Sequence, residues 1–412
     1  MADKEIEKLI QEECNRQRSV INLIASENHV SQDVLEALGS VFVNKYAEGY
    51  PQARYYAGNK WVDELENLTR QRALNLFGVY ESDWSVNVQP YSGSPANLAV
   101  YHALVPKGGK IMGMALSMGG HLTHGYKVSV TGKLWEQVPY GVDKETEQLD
   151  YKEIRELAKK EKPNLIVAGY TAYSRKIDFG KFREIADEIG AFLMVDMSHI
   201  AGLVAAESHP SPFPYADVVT TTTHKTLRGP RSALIFSKGE LSKKIDKAVF
   251  PGLQGGPHMN QIAAAAVALK EANTPEFKEY VSQVVVNART LSESLKNFGW
   301  RIVSGGTDTH LMLVDTWEKK ISGGEAERKL EETGIIVNKN TIPFDERKPF
   351  DPSGIRLGTP TVTTRGMKEK EMEKIGKIIN CILKGDVENN DVKVDTKVEI
   401  ADLCKKFPLS YE

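Results

Sequence analysis

Ala216-Asp217-Val218-Val219-Thr220-Thr221-Thr222-Thr223-His224-Lys225-Thr226 reads as a buried strand that runs out on a lysine. Its valines and threonines are β-branched and suit a pleated, enclosed strand. Gly229 and Pro230 then break regular structure. An ammonium on so apolar an approach is costly to keep charged. The neutral amine is a nucleophile toward a carbonyl and can form a Schiff base. Most lysines at strand ends are solvated surface charges, so the neighbouring pattern has to decide.

On either side of this stretch, short apolar runs alternate with helical patterns. Strands are expected at 84–88, 110–114, 164–169, 191–196, 216–223 and 232–237, with helices near 96–105, 151–160 and 179–189 between them. Such alternation predicts an α/β fold, a doubly wound and mostly parallel sheet. Before it, a polar amphipathic helix is expected over 3–18, capped by Asp3, and another over 61–77 ending at Gly78. After it come helices at 259–272 and 276–297, strands at 300–304, 310–314, 335–338 and 354–357, and helices near 323–333 and 366–384. That last third reads as a smaller α+β domain. The expected division is an N-terminal helical arm (1–25), a large domain (26–275) and a small C-terminal domain (276–412), in which 385–412 form a short polar helix.

The chain has 412 residues, 41% apolar and 26% charged, the composition of an ordinary globular protein with room for a large core. A net charge of -2 gives no global field for nucleic acid or an anionic membrane. The basic positions near the C-terminus, Lys368, Lys370, Lys374 and Lys377, are interleaved with glutamates and read as a solvated face. Cys14, Cys381 and Cys404 are far apart and odd in number, so neither a disulfide framework nor a zinc spacing is predicted. The charged N-terminus is no signal peptide, and no apolar run is long enough to span a bilayer. A cytoplasmic protein is expected.

Five apolar residues, Ala191 to Val195, deliver Asp196 to the carboxyl end of a strand, where α/β sheets place their ligands. An isolated aspartate there is usually a cap or a structural carboxylate. Asp196 and His199 alone lack further ligands at metal spacing, so no metal is expected. A carboxylate in that place can instead keep a pyridinium nitrogen protonated, which makes a pyridoxal ring an electron sink. Tyr91-Ser92-Gly93-Ser94-Pro95-Ala96-Asn97 follows a strand, and Ser94 could cap a helix opening on Pro95, which would form a phosphate cup. Gln254-Gly255-Gly256-Pro257 is either a second cup or an ordinary loop. His121 and His124 lie in a glycine-flanked loop where a flat imidazole could cover a planar cofactor. Arg356 projects from an apolar strand; an internal ion pair and a bidentate carboxylate ligand account for it equally well. Glu48 stands among Tyr46, Tyr50, Tyr55 and Tyr56, either in a packed aromatic loop or as a proton-transfer carboxylate.

From about Leu23 to about Met367 the chain resembles the serine hydroxymethyltransferases, pyridoxal-phosphate enzymes of fold type I. The resemblance rests on long strings: LIASEN, KYAEGYP, GGHLTHG, VDMSHIAGLVAA, TTTTHKTLRGPR, FPGLQGGP, HLMLVD, VNKN and SGIRLGTP. It implies a pyridoxal-5'-phosphate-binding large domain in which Lys225 joins the cofactor, Asp196 pairs with its ring nitrogen, and His121 stacks on the ring. Thr171 and His199 would lie near its phenolic oxygen. Ser92, Gly93 and Ser94 would bind the phosphate, with Gly255 and Gly256 reaching it from the partner subunit of a homodimer. Arg356 and Ser26 would take the substrate carboxylate, with His224 beside the lysine and Arg231 supporting the site. Glu48 would transfer protons, Tyr46 and Tyr56 would belong to the shared interface, and Tyr55, Leu116, Gly120, Leu122 and Asn340 would contact a reduced pterin, tetrahydrofolate or tetrahydromethanopterin. The chain departs from the family's usual residues at Tyr91, Pro95, Gln52-Ala53, Ala57 and Thr171. The implied reaction interconverts serine and glycine by moving a one-carbon unit. A pterin-independent aldolase for threonine-like substrates and a non-catalytic scaffold subunit are the competing readings.

Overall fold

The computed structural model describes residues 1–384 and 390–409. Its contacts divide the chain into two units, Val30–Ser282 and Met1–His29 with Gln283–Glu412. The segment expected as a separate arm thus groups with the C-terminal part. The division falls inside the helix Pro275–Asn297, where a boundary at 275 was expected.

Seven strands build the sheet of the central unit: β1 (Trp84–Asn87), β2 (Lys110–Met114), β3 (Glu136–Tyr140), β4 (Leu165–Gly169), β5 (Phe192–Asp196), β6 (Val218–Thr222) and β7 (Ala233–Lys238). Their order is β1-β7-β6-β5-β4-β2-β3. β2 to β6 are parallel, whereas β7 runs antiparallel to both β6 and β1. All five residues of β4 and of β6 are buried, as unbroken apolar or β-branched runs require when both faces of a sheet are covered. The helices Tyr151–Glu161 and Phe179–Ile189 are set by their own caps, Asp150 accepting from the Lys152 and Glu153 amides and Asp178 from the Lys181 amide.

The helix Gly93–Leu104 starts earlier than Ser94 and Pro95 suggest: its N-cap is Ser92, and Pro95 is its third residue. Proline is tolerated there because the N–H groups of a first turn have no partner within the helix. Register fixes the floor of the site, since Asp196 at the end of β5 pairs with Gly169 on one side and Thr220 on the other. Lys225 follows three residues after the end of β6.

In the other unit β8 (Arg301–Ile302), β9 (Leu311–Asp315), β10 (Asn338–Asn340) and β11 (Gly354–Gly358) form an antiparallel sheet of order β8-β9-β11-β10. A parallel pair joins Ile21–Asn22 to Ile335–Ile336. Ile21 and Leu23 are fully buried with Val314, Ile355, Leu357 and Ile375, which explains why the N-terminus belongs here. Arg365 ties it further, donating to the carbonyls of Arg18, Val20, Cys404 and Phe407. The helix expected over 366–384 starts later, at Glu369–Lys384, and a short helix, Pro360–Thr364, precedes it across Gly366 with φ 90°. Of the segment 385–412, Asn390–Lys406 is helical, while 385–389 and 410–412 lie outside the described residues.

Candidate active site

Asp196 is buried, and its two oxygens are held by four donors. Oδ1 accepts from the Ser198 amide at 3.1 Å and the Ser198 hydroxyl at 2.6 Å. Oδ2 accepts from Asn97 Nδ2 at 2.9 Å and lies 3.1 Å from His124 Nε2. Burial by itself would raise this carboxyl, but the hydrogen bonds from His124 and Ser198 outweigh it and hold Asp196 well below the usual carboxylate range. It is a carboxylate at neutral pH. His124 Nδ1 accepts the His121 amide at 3.3 Å, which leaves the His124 proton on Nε2, facing Asp196. The four donors are therefore neutral, and the site retains a buried negative charge suited to a cationic ring N–H.

Beside this carboxylate, Lys225 Nζ donates to Thr222 Oγ1 at 2.9 Å. The loop bearing the lysine is pinned to the one after β5: Thr226 Oγ1 donates to the His199 carbonyl and accepts the Gly202 amide. His224 Nδ1 is a buried nitrogen without a hydrogen-bond partner. The Ser92 side chain makes no cap bond, so the turn 92–94 presents two hydroxyls at an open helix N-terminus. Gly93 is needed there, because a Cβ would come within 2.7 Å of Thr222 Cγ2. Thr171 Oγ1 donates to the Gly120 carbonyl at 2.9 Å, and His199 is buried. Gly120 is pressed on backbone, since a Cβ would lie 1.9 Å from the Met114 carbonyl oxygen. Leu116 opens a short 3-10 turn, Leu122 is exposed, and Arg231 is exposed.

Glu48 is held by a different cluster. The hairpin Gly49–Tyr50/Ala53–Arg54 returns Arg54 under it, and Arg54 Nη1 donates to the carbonyls of Ala47 at 3.0 Å and Gly49 at 2.7 Å, the residues on either side of Glu48. The guanidinium itself is buried and paired with Asp63 and Glu66. Gly49 has φ 94°, and a Cβ on it would meet the Ala53 oxygen at 2.3 Å. Tyr46 donates its hydroxyl to Glu48 Oε1 at 3.2 Å and packs edge-on against Tyr56. Tyr55 is exposed and packs on Phe250. The loop with Gly255 and Gly256 passes alongside, so that a Cβ on Gly255 would lie 3.2 Å from Glu48 Oε1. Tyr91 holds this loop, its hydroxyl donating to the Gly256 carbonyl at 2.8 Å and its ring stacked on His258.

In the other unit Arg356 lies on β11 with its Nε donating to Asn338 Oδ1 at 3.1 Å and Nη2 to Ser26 Oγ at 3.4 Å. Burial lowers its guanidinium to about 10, still charged at neutral pH. Asn340 lies on β10, its amide donating to the Thr341 carbonyl.

The sequence matches the family model described as serine hydroxymethyltransferase over residues 1–379. The chain belongs to the serine hydroxymethyltransferase family. It is 55% identical over 406 residues to the serine hydroxymethyltransferase of Desulfotalea psychrophila (strain LSv54 / DSM 12343), covering 98% of this chain and 94% of that protein. Its activity is that of a serine hydroxymethyltransferase, interconverting serine and glycine with transfer of a one-carbon unit, dependent on pyridoxal phosphate and on a folate-type co-substrate. The pterin-independent aldolase is not favoured. The residues present fit the cofactor: a buried carboxylate with only neutral donors, a helix N-terminus with free hydroxyls, and a lysine three residues past the end of β6.

Sequence reasoning did not assign roles to Asn97, Thr123, Ser198 or Arg54, and it read His124 as a possible ring cover and not as a donor to Asp196. Their partners lie up to 123 positions away, as between Asn97 and Thr220, so no local spacing announces them. One signal was available: Asn97 is four residues past Gly93, on the same helix face as the turn that opens the cup.

The stability of this protein in acid should follow its buried imidazoles. Burial, reinforced by neighbouring cations, lowers His29 and His121 from 6.5 to about 4 and His224 to about 3. These groups are neutral in the fold and protonate first in the unfolded chain, so their contribution is complete above about pH 6.5 and is lost as pH falls toward 4. The slope is at most about 1.4 kcal/mol per pH unit for each histidine. Urea midpoints compared at about pH 7.5 and about pH 5 should fall; equal midpoints would show these rings to be charged in the folded protein.

Proposed function

We propose that Lys225, Asp196, His121 and the 92–94 turn hold pyridoxal phosphate, that Arg356 with Ser26 binds the substrate carboxylate, and that Glu48 handles protons of the one-carbon group. The observation that carries this is the neutral donor set around the Asp196 carboxylate. When bound, pyridoxal phosphate supplies an electron sink for cleavage of a bond at the amino-acid α-carbon. Asp196 keeps a proton on the ring nitrogen, which is what a charged acceptor in a low-dielectric site does best. Lys225 would hold the cofactor through its amine. Ser92, Gly93 and Ser94 meet a phosphate with hydroxyls and the helix N-terminus. Thr171 and His199 border the phenolic side, His224 flanks the lysine, and Arg231 adds positive charge nearby.

Arg356 presents a planar fork to a carboxylate, and that fixes the orientation of serine relative to the bond that breaks. Such positioning contributes several kcal/mol to a barrier, on the order of what well-oriented intramolecular reactions gain. Glu48, fixed by Arg54 on both flanking carbonyls, accepts the proton of the serine hydroxyl and returns it during one-carbon transfer. Tyr46, Glu48, Tyr55, Tyr56, Gly255 and Gly256 form one cluster on a single subunit. A homodimer in which each subunit lends this cluster to its neighbour is the arrangement we favour, with Leu116, Gly120, Leu122 and Asn340 toward the pterin. The three cysteines are free, in keeping with a cytoplasmic setting. The carrier is tetrahydrofolate or tetrahydromethanopterin, and transfer assays with each purified carrier decide between them.

Glu48→Gln is the sharpest test of the proton assignment. Pterin-dependent transfer should fall by about 10²–10⁴-fold, the range for a displaced acid-base group. Cleavage of a 3-hydroxy amino acid bearing a phenyl group, which needs no pterin, should fall far less. Equal losses in the two assays would take the proton-transfer role away from Glu48.

A further inference from the structure

We propose that Asn97 and Thr123 are positioning residues that determine which nitrogen of His121 carries its proton, through one hydrogen-bonded chain anchored on Asp196. The argument starts at His121 Nδ1, which lies 3.2 Å from the Thr123 amide nitrogen and 2.7 Å from Thr123 Oγ1. A backbone N–H can only donate, so Nδ1 is an acceptor and the ring proton sits on Nε2. The hydroxyl is oriented the same way. Asn97 Nδ2 donates to Thr123 Oγ1 at 2.9 Å, which leaves the threonine proton directed to Nδ1.

The orientation of the Asn97 amide is itself dictated by its surroundings. Asp196 Oδ2 is a carboxylate oxygen that only accepts, so the Asn97 atom 2.9 Å from it is the NH₂. The Asn97 carbonyl then accepts the Thr220 hydroxyl at 2.8 Å. Direction therefore propagates without ambiguity from Asp196 through Asn97 and Thr123 to His121. Asn97, Thr123, Thr220 and Asp196 are all buried, so bulk water does not compete for these bonds.

Protonating His121 on Nδ1 would set a new N–H against the Thr123 amide proton, losing that bond, and would force the Thr123 hydroxyl to turn its own proton away. Around the ring, Lys225 opposes a positive charge on His121 and Asp196 favours one. The chain thus adds to burial in keeping this imidazole neutral and its face available to a planar ring. A polar pair that merely fills a hole beneath the loop would have none of this directional effect.

The inference rests on the reading that His121 covers the cofactor, but its test does not need that reading to hold. The holoenzyme is prepared with ¹⁵N-labelled histidine, and the His121 nitrogens are followed by NMR as pH is lowered. In the parent protein Nε2 should be protonated and Nδ1 bare. Thr123→Val keeps the side chain's shape and removes the hydroxyl; it should raise the proton affinity of His121 at least about tenfold, since a bond to the neutral form has been lost. Thr123→Ser should restore the parent titration, and the acid limb of the pH–rate profile should shift upward in the valine variant alone. A proton on Nδ1 in the parent protein overturns the proposal, and so does identical titration of the parent, valine and serine proteins. The parent spectrum decides even if the valine variant fails to fold. A colourless protein would instead count against the cofactor assignment and leave the tautomer measurement standing.

Discussion

Lys225→Ala abolishes the conversion of serine to glycine, by roughly 10³-fold or more, while the fold survives. Loss of a nucleophile on this scale follows because the remaining groups orient substrate but cannot replace the amine that joins the aldehyde. The fold should tolerate the change, because the loop is held by Thr226, Thr223 and the β6 ladder. Borohydride treatment followed by peptide mass analysis should place a cofactor-sized label on residue 225 of the parent and none on the variant. Serine cleavage at the parent rate in the alanine protein would refute the assignment.

Asp196→Asn should cost both activity and stability, for related reasons. An amide offers one acceptor where the carboxylate offers two, and each Asp196 oxygen already receives two donors. Whichever end the NH₂ takes, it faces fixed N–H groups, from the Ser198 amide on one side or Asn97 and His124 on the other. Leaving such donors unsatisfied costs about 1–3 kcal/mol. Removing the negative charge also ends the preference for a protonated ring nitrogen, and turnover should drop by about 10²–10³-fold, as when one preorganised electrostatic group is deleted. A variant with parent-like turnover and an unchanged unfolding midpoint would show that this carboxylate neither organises the site nor tunes the cofactor.

Much of this fold is visible in the chain itself. The runs ending at Gly169, Asp196 and Thr222 are apolar or β-branched without interruption, and the strands lie there. β3 was not anticipated because Glu136-Gln137-Val138-Pro139-Tyr140 alternates burial weakly and contains a proline, tolerable only because this is the edge of the sheet. Nor does anything in the sequence of β7 announce that it runs against its neighbours, since strand direction is set by connections rather than composition. The strings shared with the family named the charged and nucleophilic residues, whose chemistry is unusual enough to stand out. They did not single out Asn97, Thr123 or Arg54, because a buried amide, hydroxyl or ion pair acquires a role only from groups brought to it by folding.

Arg54 spends its whole fork tying one short hairpin to the helix Lys60–Leu76: Nη1 on the Ala47 and Gly49 carbonyls, Nε on Asp63 and Nη2 on Glu66. Lysine, with a single point of charge, cannot reach four acceptors spread around a plane. The exchange usually regarded as mildest would therefore unlatch the turn and let its carboxylate wander. Two cations that look interchangeable in a substitution table are, at this position, different parts.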